Sequence, residues 1–374
     1  MSFKLLISAR DAAAAKHLIA VARTARSHPD VSVSIVTQDP AARYFAAAGI
    51  QTDKLDNISC KSADSEEAET LLQTARDVLS QYRPDAILCG LSTPFDAGID
   101  EALTAAFGGP RFVMQDFWGE ANMVLGHSAD LYFALDEEAV KISKERHGVE
   151  AISVGSPYHA AYKALDCDAI RLAERERIGI PPDSTVLGFF GQALHNLAGY
   201  KHTLYAWLDA VGNQPSPCIA LYRPHPRESH KEAQWTQAMF EKCGLRYIVA
   251  DGPDVEHALL TCDVVCSAFS NCTYDAAYLN YFSSKPLITP LSLLFDEEIV
   301  AYFRKMVRLK ELPYLKASLA KPVHDVKKLK DELDRAHKMA EKERYWQNAQ
   351  RLHNPVNVPE RILDEIRSRL PVGS

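Results

Sequence analysis

The chain has 374 residues, more than one ordinary hydrophobic core organises, so two domains are expected. Hydrophobic residues make up 47% and charged residues 24%, the balance of a globular chain, and no apolar run approaches the ~18 residues of a membrane-spanning helix. A net charge of −7 without a long basic run argues against a nucleic-acid partner, yet it leaves a phosphate ligand open.

Residues 3–9 are apolar, but Arg10 and Asp11 follow at once, so they read as a first strand and not as a secretion signal. Residues 12–27 are alanine-rich and helical, with Leu18, Ile19 and Val21 on one face. A second strand is expected at 31–37, and a short helix at 40–48 closed by Gly49. Residues 51–65 are polar and irregular. A helix at 66–81, a strand at 84–90, a helix at 100–107, a strand at 111–115, a strand at 131–135, a helix at 137–147 and a strand at 151–154 complete this half. Strands alternating with helices indicate a parallel, doubly wound sheet, whose ligands bind outside the carboxyl ends of the strands.

Residues 1–157 are therefore expected to form a first Rossmann-like domain, and 158–183, helical with a proline-bearing end, a linker. A second Rossmann-like domain over 184–355 follows, facing the first across a cleft. Its strands are expected at 185–191, 218–222, 247–250, 264–266 and 286–289, with helices at 201–211 and 254–261. Residues 326–351 read as one charged surface helix. A last amphipathic helix, in 356–374, is placed back against the first domain. The eight cysteines are scattered, with no C-x-x-C pair, so neither disulfides nor structural zinc is expected, and the compartment expected is the cytoplasm.

Residues 263–278 join a buried strand to a helix through Ser267, Ser270, Asn271, Cys272 and Thr273. A helix start leaves backbone N–H groups unpaired at the positive end of its dipole, and a phosphate suits that end. A serine-capped turn without a ligand fits the same residues. Arg223-Pro224-His225-Pro226 follows another strand: an arginine fork suits a phosphate, and two prolines equally suit a rigid loop. Gln192 and His195 follow a third strand end, within reach of a donor or simply in solvent.

In the first domain Asp11 sits where a base would act on an acceptor, or caps the following helix. Arg10 lies beside it, and His17 lies further along that helix, on the surface or packed. Asp116, Trp118 and Glu120 follow a strand, with Trp118 either a sugar-stacking platform or a packed side chain. Asp96 and His127 are lesser candidates. No G-x-G-x-x-G follows the first strand, no G-x-S-x-G is present, and no D-x-D is tied to a strand end, so no metal or other cofactor is implied.

The chain resembles the GT-B fold glycosyltransferases of bacterial surface-polysaccharide synthesis, a superfamily that includes sugar-nucleotide epimerases. Four stretches carry this: the first strand and alanine-rich helix with residues 36–50, residues 129–136 leading to Val154-Gly155-Ser156-Pro157, Tyr222-Arg223-Pro224-His225-Pro226, and residues 254–278. In the third, arginine stands where the family's K-P-H-P segment has lysine. In the fourth, Asp275 stands where many members carry a ribose-binding glutamate. The resemblance implies a nucleotide-sugar donor held by Gln192, His195, Arg223, His225, Ser267, Ser270, Asn271, Cys272, Thr273 and Asp275. It implies an acceptor sugar or glycoconjugate at Arg10, His17, Trp118 and Glu120, with Asp11 and Asp116 catalytic. The reaction implied is metal-independent glycosyl transfer. A 2-epimerase or hydrolase, and a non-catalytic nucleotide-binding scaffold, remain alternatives, and peripheral membrane association stays open.

Overall fold

Apolar, β-branched runs alternating with amphipathic helices resolve into two parallel sheets. The computed structural model describes residues 2–126, 128–181, 183–216, 218–250, 252, 254–352 and 356–371. The chain divides into two units, residues 1–163 with 353–374 and residues 164–352.

The first unit holds β1 (Phe3–Ala9), β2 (Val31–Thr37), β3 (Asp53–Lys54), β4 (Ala86–Cys89), β5 (Arg111–Met114), β6 (Leu131–Ala134) and β7 (Ala151–Ser153). Their order is β3-β2-β1-β4-β5-β6-β7, parallel throughout. Successive side chains of a strand point to opposite faces. Leu6, Ile87, Cys89 and Val113 thus meet Leu71, Ala75, Val78 and Leu103 from the helices of one layer. The strand order reverses between β1 and β4, which makes their carboxyl ends the binding position of a doubly wound sheet. The two-residue β3 pairs only with Val36 and Thr37, too short to leave a periodic signal in a stretch that reads as irregular.

The helix Val358–Ser368 packs on the helix Ala12–Ser27 with Ile362, Leu363 and Ile366 buried. Arg361 donates to the carbonyls of Ser153 and Val154 at 3.1 and 3.2 Å, and Arg367 to Asp30 at 3.2 Å.

The second unit holds β8 (Thr185–Phe190), β9 (Cys218–Arg223), β10 (Tyr247–Val249), β11 (Val264–Ser267), β12 (Thr289–Leu293) and β13 (Lys321–Val323), ordered β10-β9-β8-β11-β12-β13 and again parallel. Here the reversal falls between β8 and β11. Leu187, Phe189, Val264, Cys266 and Leu291 form one face, packed on Leu204, Trp207 and Leu208 of the helix Ala198–Gly212.

Several predicted elements shift. The strand expected at 286–289 runs from Thr289 to Leu293, and the edge strand β13 was not predicted. Nor were the helices His230–Lys242 and Glu297–Val307, which expose most of their surface and carry sparse apolar stripes. The single helix expected over 326–351 is broken into Leu329–Ala336 and Met339–Ala349. It is not a purely solvated element: Leu329, Leu333 and Ala336 enter the core.

Within 158–183 lies the helix Cys167–Arg177, anchored to the amino end of β11. Asp263 accepts from Arg171 at 2.6 Å, from Arg175 at 2.8 Å and from the Val186 N–H at 2.8 Å, and it also pairs with Lys342. Burial alone would raise this carboxyl, but Arg171, Lys342 and Arg175 outweigh burial and hold it down at about 2. No helix among the described residues is long and apolar enough to cross a membrane.

Candidate functional site

In the first unit, polar side chains gather at the carboxyl ends of β1, β4 and β5. The Ser8 hydroxyl and the Arg10 N–H both donate to Asp100, the latter at 2.9 Å. The Arg10 guanidinium reaches the Asp96 carboxylate at 2.6 Å, the Asp96 carbonyl at 3.0 Å and Asp11 at 3.3 Å. Asp11 occupies the N-cap position of its helix but makes no capping bond. Its carboxylate instead accepts from the N–H and the hydroxyl of Thr93, both at 2.8 Å, which ties β1 to the loop after β4.

Glu101 closes that loop at both ends, accepting from the Ser92 N–H at 3.0 Å and the Gly98 N–H at 2.8 Å. Gln38 adds a further tie, accepting from the Ile99 N–H at 2.9 Å. A Cβ on Gly98 would lie 2.3 Å from the Arg10 side chain, so the backbone here passes directly against the guanidinium.

Asp100 and Glu101 are adjacent and buried; burial raises both carboxyls, joined at Asp100 by the charge of Asp11 and at Glu101 by that of Asp100. Asp116, partly buried, is pushed up to about 7, first by burial and then by the fields of Asp11, Asp100 and Glu120, against a hydrogen bond from its own backbone. Asp11 and Asp116 are thus close enough to feel each other. A carboxyl that titrates near neutrality can take or return a proton at small cost.

The other predicted first-unit residues face inward. Trp118 is 1% exposed, and its indole donates to Asp136 at 2.7 Å, so it presents no ring to a sugar. Glu120 is buried and paired with Arg146 at 2.6 Å. His17 is buried beside Ser156 and Tyr158, and burial lowers its imidazole to about 3. All three are packed and paired internally. His127 lies outside the described residues.

In the second unit, Gln192 follows β8 and its side-chain oxygen accepts from the Phe269 N–H at 3.0 Å, pinning two of the predicted donor loops together. Ser267 accepts from the Ser270 N–H at 3.0 Å, and Ser270 from the Cys272 N–H at 3.3 Å. Thr273 donates back to the Ser270 carbonyl at 3.0 Å. This serine turn satisfies part of the start of the helix Cys272–Phe282, and Asn271 makes no side-chain cap. Asp275 is buried in the helix's first turn.

Arg223 donates to the carbonyls of Ala250, at 2.9 Å, and Gly252, which holds its guanidinium at the carboxyl end of β9. Burial first, then Arg227, lowers His225 to about 4, and its Nδ1 accepts from the Arg227 N–H at 3.1 Å. His195 is buried under Trp235 with its Nε2 3.0 Å from the Thr236 hydroxyl and 3.7 Å from Glu228 of the loop after β9, so it braces the helix His230–Lys242 against that loop.

Ser8, Gln38, Thr93 and Asn122 lie at strand ends or in the loops that follow, where a doubly wound sheet binds its ligands, whereas Asp100 and Glu101 join the first-unit cluster without a clear sequence signal. Acidic residues in a helix's first turn read as ordinary partners of its dipole, and their burial is visible only in the fold. Among the described residues no group of three or more His, Cys, Asp or Glu is arranged to hold a metal ion.

No family model matches the sequence, and no curated protein matches it either. Solved structures do match by fold over nearly the full length. The S. aureus MnaA–UDP co-structure aligns with a TM-score of 0.71 at 14% identity, covering 100% of this chain and 98% of that one. UDP-GlcNAc 2-epimerase from Neisseria meningitidis, bound to UDP-GlcNAc, aligns at 0.68 and 14%, covering 98% and 100%. MurG from Acinetobacter baumannii aligns at 0.60 and 13%, covering 98% and 100%. With its two doubly wound parallel sheets, the chain has the GT-B fold.

Proposed function

We propose that this chain is an enzyme acting on a UDP-linked amino sugar, with chemistry of the 2-epimerase or hydrolase type. The observation that carries this reading is the proximity of Asp11 and Asp116 at a switch point, with Asp116 titrating near neutrality. Inversion at C2 of a sugar requires a proton to leave one face and another to arrive on the opposite face. Asp116 takes the proton from one face while the electron pair forms C1=C2 and the C1–O bond to UDP breaks. Asp11 or water then delivers a proton to C2 on the opposite face as UDP, or water in the hydrolase case, adds back at C1. Arg10, Asp96 and Asp100 hold the loops around Asp116 fixed.

The second unit takes the nucleotide diphosphate. The serine turn at 267–270, the start of the helix Cys272–Phe282 and Arg223 supply donors for its oxygens. Two structural neighbours, one bound to UDP and one to UDP-GlcNAc, favour uridine among the nucleotides.

A second reading is glycosyl transfer to a sugar or glycoconjugate acceptor in surface-polysaccharide synthesis. The MurG likeness and a Rickettsia africae glycosyltransferase aligned at a TM-score of 0.63 favour it. Then Asp11 or Asp116 takes the acceptor's hydroxyl proton.

Thermal unfolding against CMP, UDP, GDP, dTDP and UDP-GlcNAc tests the common part, because a ligand that binds only the native state raises the midpoint. A selective rise with UDP and UDP-GlcNAc is expected. A flat panel argues for a protein that does not use nucleotides.

A further inference from the structure

In the second unit, the loop after β9 closes on a buried carboxylate. The Glu228 side chain is 2% exposed. Its Oε2 accepts from the Tyr222 hydroxyl at 2.7 Å and from the His225 N–H at 3.3 Å. Its Oε1 accepts from the Thr236 hydroxyl at 3.4 Å and lies 3.7 Å from Nε2 of His195. The Glu228 N–H in turn donates to the His225 carbonyl at 2.8 Å, so His225-Pro226-Arg227-Glu228 is a β-turn closed on its own last side chain. Strand β9, its turn, the helix His230–Lys242 and the loop after β8 thus meet at one carboxylate. Burying such a group is costly unless its oxygens are bonded, and each partner here lies on the turn or on an element packed against it.

The same turn fixes His225. The Arg227 N–H donates to Nδ1 of His225 at 3.1 Å. A backbone N–H only donates, so Nδ1 carries the lone pair and the proton of the neutral ring sits on Nε2. The ring is partly exposed, and among the described residues its Nε2 has no partner. Burial and Arg227 keep it neutral down to about 4. The turn is also tied to the neighbouring strand ends. The Gly191 N–H donates to the Arg223 carbonyl at 2.8 Å, and the next residue, Gln192, holds the Phe269 N–H just before the serine turn.

We propose that Glu228 is a positioning residue of the nucleotide site in the second unit, holding the β9 turn so that the Nε2–H of His225 donates to a diphosphate oxygen. A turn closed in advance loses little freedom when the anion arrives, so more of the hydrogen bond appears as affinity. This inference rests on the nucleotide reading above.

The test is a double-mutant cycle, read by calorimetric titration of the full chain with UDP. His225→Ala and Glu228→Ala should each weaken UDP about tenfold, the scale of one hydrogen bond to a charged group. Because Glu228 acts through His225, the double variant should bind no more weakly than either single one. Glu228→Gln keeps an acceptor oxygen for Tyr222 and the His225 N–H, and should bind UDP within about twofold of the unmodified chain. Histidine ¹⁵N spectra of the unmodified chain at about pH 6 should show His225, identified by its loss in His225→Ala, protonated on Nε2 alone. If the unmodified chain binds UDP and both alanine variants bind it equally well, or if their losses add, the positioning role is overturned while the nucleotide reading stands. A His225 protonated on Nδ1 overturns it as well. If the unmodified chain does not bind UDP, the nucleotide reading fails and the positioning role falls with it.

Discussion

Asp116 carries the account at the scale of a single residue. Its carboxyl sits near pH 7 because burial and the negative charges of Asp11, Asp100 and Glu120 oppose ionisation. If Asp116 is the base, it works ionised. kcat/KM should therefore rise with pH through about 7 and then level off, and Asp116→Asn should remove that limb and lower kcat by about 10²–10⁴. A pH–rate profile checks both. The same group makes a prediction about stability. Its folded-state value lies above the ~3.9 of an unfolded aspartate, and Asp100 and Glu101 are raised too. The folded chain thus binds these protons more tightly than the unfolded one. Their stabilisation is full below about pH 4 and is lost as pH rises through about 6 to about 8, that of Asp116 through about 7. Between these limits the unfolding midpoint of Asp116→Asn should fall less steeply with pH than that of the parent. Parallel slopes would show that Asp116 is not raised. Asp11 and Asp116 were legible as candidates because a carboxylate after an apolar run marks a strand's carboxyl end. Trp118 takes the packed place that was one of its two readings, but its partner Asp136 lies 18 residues on and nothing local announces their hydrogen bond.

At the scale of elements, two connections organise the units. The helix Ile99–Ala106 begins beside β4 and brings Asp100 and Glu101 under the loop that carries Thr93 and Phe95. The helix Cys272–Phe282 begins after β11 with its serine turn. If that turn receives a phosphate, Arg223→Ala and Ser270→Ala should each weaken UDP binding about tenfold, the scale of one charge-assisted hydrogen bond, with the fold intact. Titration of both variants with UDP checks this, and unchanged affinity in both would remove the nucleotide site from the second unit. The amino end of β11 is structural. Asp263 neutralises part of the charge of Arg171, Arg175 and Lys342, so Asp263→Ala leaves three cations with little compensation. It should cost about 3–5 kcal/mol of stability in denaturant unfolding. Most strands were readable from apolar, β-branched runs. The helices His230–Lys242 and Glu297–Val307 were not, although Ser229 with Glu232 forms a capping box that marks the start of the first. The break after Ala336 was hidden because charged residues run through it unchanged.

For the whole molecule, parallel sheets of orders 3-2-1-4-5-6-7 and 10-9-8-11-12-13 give each unit its own switch point. Alternation of strands and helices made that architecture readable, because each βαβ unit needs a crossover helix and each strand needs both faces covered. The identity of the reaction was not readable in this way. It depends on which carboxyls stay protonated, and burial sets that. The most direct measurement is proton NMR of UDP-GlcNAc incubated with the protein in D₂O, beside the Asp116→Asn variant. The expected result is deuterium at C2 of the hexosamine, with inversion there or release of UDP, in the parent alone and without an added acceptor. A C2 proton that persists, with the nucleotide sugar intact, would contradict the epimerase or hydrolase reading. UDP release that begins only when an acceptor sugar is added would assign the same site to glycosyl transfer.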